Sequence, residues 1–338
     1  MKALILKDKV QPGGERAKLY YEDVPKPVPD TDGVLIKLQA AAINRRDIFI
    51  RYGMYPGIEV PAIPGADGAG IIVAVGKAVT QLTIGDEVII DPSLNWGDNL
   101  NHPSKAYKVL GVPDDGTYAQ YVKVPAQNVY HKPSYLSWAE AAALPLGGIT
   151  AYRAVVYKGS IGKGDTVIIP GIGGGVATIV LQIAVALGAK VFVTSSQQEK
   201  IDKAKELGAT GGILYTSTDW VESMKELTGG ADVVIDSIGG NIFPHLVNLC
   251  KQGGKIVSYG ATLGPTPNLN MAKVFLKQLT IAGSMMGSPT QFEEMLRFFE
   301  KHKIRPIIDK SFPLEQIDQA HSYMEKGKQF GKIVLSIS

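Results

Sequence analysis

The sequence is poor in the residues that build cross-links and metal cages. It has one cysteine, Cys250, which excludes an internal disulfide framework and leads us to expect a reducing, cytoplasmic setting. Its five histidines are scattered, with neither a C-x-x-C pair nor an H-E-x-x-H. There is also no dense run of one charge. Lys and Arg total 35 against 32 Asp and Glu, a formal charge of +3, so neither nucleic acid nor a membrane surface is an expected partner. The opening MKALILKDKV carries charges inside its apolar stretch and lacks a cleavage-site pattern, so it reads as a strand rather than a secretory leader. One apolar run, residues 166–193, is long enough to cross a bilayer. Pro170 and the glycines after it interrupt that run early, and Gly188 interrupts it late; strand, glycine turn, helix, turn and strand account for every break.

What is present is an ordinary globular composition, 45% hydrophobic and 20% charged over 338 residues, long enough for about two domains. The first part reads as β-rich, with short apolar or alternating runs at 3–6, 34–40, 69–75, 87–90 and 118–124. Turn residues separate the runs, and a polar loop fills 91–116. From about residue 162 the rhythm changes to strands at 166–169, 191–194, 213–215, 233–236, 255–259 and 279–283. Helices are expected between them at 176–187, 198–207, 219–227, 243–250 and 271–277. Strands separated by helices pair in parallel through right-handed crossovers, and six of them complete a doubly wound α/β dinucleotide fold. The tail, with helical patterns at 291–302 and 313–324 and a strand at 332–336, groups more naturally with the first part. The expected organisation is a discontinuous domain, 1–125 with 288–338, interrupted by a nucleotide domain over 126–287.

The segment 165–177, DTVIIPGIGGGVA, is the expected cofactor turn. A pyrophosphate must lie against backbone N–H groups at a helix N-terminus, and only small residues permit that approach. The strict G-x-G-x-x-G pattern fails at Val176, but Gly174-x-x-Ala177 restores the register, since Ala serves where helix and strand pack closely. Gly173, Gly174, Gly175 and Val176 are therefore assigned to the cofactor. An acid about 20 residues further on normally holds the ribose 2′-hydroxyl. Here the second strand ends in Thr194, Ser195, Ser196 and Gln197, none acidic. Serines donate to a 2′-phosphate that a carboxylate would repel. Ser195 and Ser196, with Lys200 and Tyr215 nearby, thus point to NADP(H) over NAD(H). Ligands of such sheets lie beyond the carboxyl ends of the strands, which adds Ser237, Gly260, Ala261, Ser284, Met285 and Met286. Phe330 and Lys332 of the returning tail strand are expected to close over the nicotinamide.

Five further segments join the glycine turn: NRRDIFIRYGMYP at 44–56, PGADGAG at 64–70, GDEV at 85–88, GTYAQYV at 116–122 and LGGITAY at 146–152. In this order and spacing they resemble the medium-chain dehydrogenase/reductase superfamily over essentially the whole chain. The resemblance implies a GroES-like catalytic domain beside the Rossmann domain. Its zinc alcohol dehydrogenases carry Cys where this chain has Asn44, His-Glu where it has Ala66 and Asp67, and a further ligand near Leu146. A catalytic zinc needs three protein ligands of N, S or O type, and these residues do not supply them. The family's structural zinc uses four cysteines in a lobe matching the 91–116 loop, which has none. The chain thus looks like the zinc-lacking branch of quinone, enal and enone reductases, with no metal expected.

In that branch the positions matching Asn44, Asp47 and Tyr55 line the nicotinamide site, and Thr150 matches a threonine beside the ring. Tyr55 is the first choice for a hydroxyl facing the developing oxyanion. Asn44 is expected to position substrate or nicotinamide, and Asp47 to anchor its loop. The chain departs from the branch at Phe49, commonly Tyr, and at Arg46, commonly a small residue. Ser93 to Gly97 resembles a subgroup labelled zinc-type alcohol dehydrogenase-like. The expected activity is NADPH-dependent, zinc-independent reduction of a quinone or α,β-unsaturated carbonyl. The alternatives are a metal-free NADP-dependent alcohol dehydrogenase or ketone reductase, and an NADPH-binding protein without turnover. A homodimer or homotetramer is implied, with the sixth strand pairing to its mate.

Overall fold

The structure, a computed structural model, describes residues 1–338. The chain folds into two compact units, Met1–Gly147 with Gly287–Ser338, and Gly148–Met286. The division therefore falls later than the 125/126 boundary expected from sequence. Residues 126–147 stay with the first unit because their strand Val129–His131 pairs with Glu87–Ile90, and their helix Trp138–Ala143 packs on Gly33–Ala42 and Asp67–Val75.

The first unit is built on a seven-stranded sheet centred on Gly33–Ala42. That strand pairs antiparallel with Asp67–Val75, Tyr121–Pro125 and Lys332–Ser336. Val34, Ile36 and Leu38 alternate onto one face and join a core with Ile72, Val88, Ile90 and Val122. The register shifts between Leu38 and Ala40, and the strand's end serves a second core, where Ala41 and Ile43 meet Leu4, Leu6, Phe312, Ile317 and Leu335. Two strands here have little sequence signal. Leu19–Asp23 carries Tyr and acids at the edge of a two-stranded sheet, and Ile308–Pro313 has Asp309, Lys310 and Ser311 at its centre. The strand expected at 118–124 begins instead at Tyr121. Tyr118 and Ala119 are diverted to the edge of Lys2–Leu6, where the Leu4 N–H donates to the Tyr118 carbonyl at 2.8 Å.

The second unit is a six-stranded, all-parallel sheet. Its spatial order is Gly211–Leu214, Lys190–Ser195, Thr166–Ile169, Ala231–Asp236, Cys250–Ser258, Thr280–Gly283. Numbered along the chain, that is the 3-2-1-4-5-6 order of a doubly wound dinucleotide fold. All four residues of Thr166–Ile169 are buried, as a central parallel strand requires. The expected helices form at Gly175–Ala186, Gln198–Glu206, Trp220–Thr228, Phe243–Leu249 and Met271–Leu276. None of the helices is long and apolar enough to cross a membrane.

Candidate active site

In the second unit the turn after Thr166–Ile169 is made by backbone geometry. Gly171 sits at φ +66° and Gly173 at φ +136°, conformations that side chains rarely adopt. A Cβ on Gly171 would come within 2.6 Å of Ile238 Cδ1. Gly174 is the residue preceding helix Gly175–Ala186. It is exposed, no side chain caps the helix there, and a Cβ on it would meet nothing within 4 Å. First-turn N–H groups without a side-chain cap, at the positive end of a helix and beside open space, fit a dinucleotide pyrophosphate. Val176 follows as the second helical residue.

The other nucleotide-side residues are spread over the carboxyl ends of the strands. Ser195 ends Lys190–Ser195 and is buried, and its Oγ accepts from the Gln197 N–H at 3.2 Å, which leaves its own proton to donate. Ser196 is exposed, Lys200 is buried in the first turn of the next helix, and Tyr215 is at the surface. The Ser237 carbonyl accepts from the Thr262 N–H at 3.2 Å and from Thr262 Oγ1 at 3.1 Å. Asp236 spends its carboxylate on the Ile238 and Gly239 N–H groups, at 2.9 and 3.2 Å, and burial pushes its pKa up. Gly260 accepts from Ser258 Oγ at 3.2 Å, and Ala261 is exposed. Thr150 is buried on helix Pro145–Tyr152, its hydroxyl 3.8 Å from Met286 Sδ. Met285 is exposed and its carbonyl accepts from Arg153 Nη1 at 3.2 Å. Ser284 Oγ is buried and meets no partner within the protein, which leaves its hydrogen-bonding capacity open.

The first unit builds its site from side chains instead, and sheet register brings them together. Ala42 of the central strand faces Asp67 on one side and Val334 on the other. Two residues beyond Ala42 is Asn44; two residues before Val334, on the antiparallel neighbour, is Lys332. Three residues far apart in sequence are thus delivered to one end of three adjacent strands. Lys332 Nζ donates to Asn44 Oδ1 at 2.7 Å and to Asp67 Oδ2 at 2.9 Å. Asn44 Nδ2 donates to Asp67 Oδ2 at 2.9 Å, and the Leu146 N–H donates to Asp67 Oδ1 at 2.7 Å. The Lys332 and Asp67 side chains are 4% and 0% exposed. An ion pair this deep persists because both charges are hydrogen-bonded as well as paired.

Lys332, expected to close over the nicotinamide from the returning tail strand, lies in the first unit with its ammonium bonded to Asn44 and Asp67. Phe330, expected beside it, is buried in the same unit, its N–H donating to Asp309 Oδ1 at 3.0 Å. Sequence reasoning saw three lost metal ligands but not the cation that accompanies their loss. The available signal was the isolated Lys of an otherwise apolar strand, Lys332–Ser336.

Asp47 anchors the start of helix Arg45–Arg51. Its Oδ2 accepts from the Asn44 N–H at 2.8 Å and from Tyr118 OH at 2.7 Å, both buried. Burial pushes its pKa up, while Arg46, Tyr118 and the Asn44 N–H oppose the rise. Tyr55 is half-buried, with the Arg46 guanidinium carbon 4.7 Å from its ring centre. Sequence reasoning missed a further buried acid, Asp91. It holds the Ser93 N–H at 2.9 Å, and burial pushes its pKa up to about 8.

A parallel sheet in this strand order, with a glycine turn opening its first helix, defines a dinucleotide-binding fold. Residues 30–134 match the family described as alcohol dehydrogenase GroES-like domain, and residues 175–301 match zinc-binding dehydrogenase. The zinc-type alcohol dehydrogenase-like protein YogA of Leptosphaeria maculans is 38% identical over 99% of both chains. The 2-methylene-furan-3-one reductase of Solanum lycopersicum is 34% identical over 91% of this chain and 73% of its own. A crystal structure of an NAD-dependent alcohol dehydrogenase superposes with a TM-score of 0.94 at 37% identity, over 100% of both chains. The chain belongs to the medium-chain dehydrogenase/reductase superfamily, as an alcohol dehydrogenase-like oxidoreductase of a family that binds NAD(P).

The family description names zinc, and the donor set does not fit it. No group of three or more His, Cys, Asp or Glu side chains in the chain is arranged to hold a metal ion. Of the residues matching the catalytic ligands, Asn44 offers an amide, Ala66 and Leu146 offer no donor side chain, and Asp67 is neutralised by the Lys332 ammonium. A dication would have to displace that ammonium and would gain one carboxylate.

Proposed function

We propose that this protein is a zinc-independent, NADPH-dependent reductase of conjugated carbonyl compounds, an enal, enone or quinone. The observation that carries the reading is the Lys332–Asn44–Asp67 cluster, in which an ammonium accompanies the replaced metal-ligand positions. When bound, the reduced nicotinamide supplies the hydride. A saturated ketone then needs strong polarisation of its carbonyl, which zinc would provide as a Lewis acid. A conjugated acceptor spreads the incoming charge onto a remote oxygen, and hydrogen-bond donors suffice to hold it. The first unit offers such donors. Asn44 Nδ2 has a second hydrogen beyond the one given to Asp67, the Lys332 ammonium has a third, and Tyr55 carries a hydroxyl. Asp67 fixes the orientation of both nitrogens, and Asp47 fixes the backbone of Asn44.

The preference for NADPH rests on the chain's lack of an acid after Lys190–Ser195 and on the Ser195 proton that remains to be donated. The tomato relative's name, a reductase acting on an exocyclic enone, supports the acceptor class. In the same reading the protein works in the cytoplasm as a homodimer joined through the sheet edge Thr280–Gly283. Ile281 is exposed there, and Phe275 and Leu276 of the preceding helix are exposed as well. Ile281→Lys should turn the dimer into a monomer by light scattering.

A second reading, a metal-free alcohol dehydrogenase or ketone reductase, is favoured by the names of the fungal relative and of the superposed structure. NADPH consumption in the presence of EDTA separates the two. Fast turnover on a para-quinone, an alkenal and an enone, with slow turnover on a saturated ketone, is the expected result. Activity confined to the saturated ketone selects the second reading.

A further inference from the structure

Two residues past Asn44 lies a buried cation that the reaction above does not use. The Arg46 side chain is 8% exposed. Its Nη1 donates to the Leu110 carbonyl at 2.9 Å and lies 3.7 Å from Asp47 Oδ1. Its Nε and Nη2 are buried and meet no hydrogen-bond partner. These two nitrogens form one edge of the guanidinium, with parallel N–H bonds spaced to match the two oxygens of a carboxylate. The plane is held by the Tyr55 ring and by Leu110, so the open edge is rigid. A buried cation with idle donors is costly, and protein interiors rarely retain one without a partner.

The surroundings carry the same excess of hydrogen-bonding capacity. Tyr107 lies among Tyr55, Ser93, Asp91 and Arg46. Tyr107 OH, Ser93 Oγ and Asp91 Oδ2 are each buried; the Ser93 hydroxyl lies within reach of both Tyr107 and Asp91, and none of the three atoms makes a well-formed hydrogen bond. Tyr107 thus brings a hydroxyl into the neighbourhood of the same guanidinium. The Tyr55 ring that covers the guanidinium is half-buried, and its neighbours Met54 and Pro56 are exposed. Asp47 already stands beside the guanidinium, its Oδ1 3.7 Å from Nη1, and that carboxylate favours a monoanion over a doubly charged phosphate.

We propose that Arg46 is the anchor for a carboxylate on the substrate: the compound reduced is a conjugated carbonyl acid, its carboxylate seated on the Nε and Nη2 edge with Tyr107 and Ser93 as further donors. This rests on the reductase reading for the word substrate, but the anchor itself is tested by binding alone. Isothermal titration of the full chain with crotonate, with crotonamide and with inorganic phosphate compares an acid, its uncharged isostere and a different anion. Crotonate should bind at least about tenfold tighter than crotonamide. Arg46→Gln should erase that difference, and Arg46→Lys, which keeps the charge but loses the fork, should lose most of it. Equal binding of acid and amide by the unaltered protein overturns the proposal without any variant. So does phosphate displacing crotonate at equal concentration, which would mark a general anion site. If crotonate binds through Arg46 but no conjugated acceptor consumes NADPH, the reductase reading falls and the anchor stands. If neutral enones turn over and crotonate does not bind, the anchor alone falls.

Discussion

The two units make their sites by opposite means. In Gly148–Met286 the candidate cofactor site is made of backbone. The turn takes positive φ angles at Gly171 and Gly173 that side chains rarely adopt, the helix start at Gly174 is left uncapped beside open space, and the segment that makes them is continuous in sequence. In the other unit the candidate site is made of side chains, and they come from residues 44, 67 and 332, which share nothing locally. A backbone site tolerates any sequence that keeps its glycines. A side-chain site depends on strand register and on every buried charge finding its partner.

The most damaging break in that comparison is expected at Lys332. Lys332→Met leaves the Asp67 carboxylate buried and uncompensated, and should cost about 3–5 kcal/mol in denaturant unfolding. Adding Asp67→Leu should return much of the loss, because an apolar pair of similar volume removes the orphan charge. If Lys332→Met alone is neutral, the ammonium does not hold this site together.

Asp91 tests the side-chain site by pH. Its carboxyl is held at about 8 by burial, above the ordinary carboxylate value of about 4. The folded state therefore keeps a proton that the unfolded state has given up. Stability from this group is complete below about pH 4 and is lost as pH rises toward 8, by up to about 1.4 kcal/mol per pH unit in that window. Asp91→Asn keeps an acceptor for the Ser93 N–H and should flatten the slope in unfolding curves taken at pH 5, 6 and 7.

Gly171→Val probes the backbone site. A positive φ costs a side chain about 1–2 kcal/mol, and this one also meets Ile238. The expected readout is weaker NADPH binding, by about tenfold or more in fluorescence titration, with the first unit's crotonate binding intact. A matched loss of both would mean that the two sites are not independent.

The smallest effect belongs to cofactor choice. Ser195→Asp places a carboxylate where a 2′-phosphate would lie, and should lower the NADPH-to-NADH ratio of kcat/KM by about tenfold, about 1.4 kcal/mol. An unchanged ratio would remove Ser195 from cofactor discrimination.

Legibility followed the same division. The six parallel strands and their helices could be read because each is an apolar run ended by a local stop, as Gly188 ends Gly175–Ala186 and Gly229 ends Trp220–Thr228. Helix Arg45–Arg51 was invisible, because its buried face includes Arg46, Asp47 and Arg51. Arg51 is sheltered by the Ala17 carbonyl, Asp318 and His321, none of them near it in sequence. His321 must accept the Arg51 proton at Nδ1, since guanidinium only donates, and burial with Arg51 alongside holds its pKa well below the usual imidazole value. The strand Ile308–Pro313 escaped for a related reason. Asp309 and Lys310 break its apolar pattern, and its pairing with Lys332–Ser336 is set by the sheet rather than by its own sequence.

Sequence by itself determined the doubly wound class, the glycine turn, the missing acid at the second strand and the loss of the metal ligands. Each of these is written in adjacent residues, where backbone conformation and burial act over a few positions. Only the tertiary structure decided where Lys332 goes, that Asp67 and Asn44 share its charge, and that Arg46 keeps one edge of its guanidinium unmatched. Those outcomes depend on the register of Gly33–Ala42 against two distant strands and on the low polarity of the interior, which makes every buried charge answerable to a partner far away in the chain.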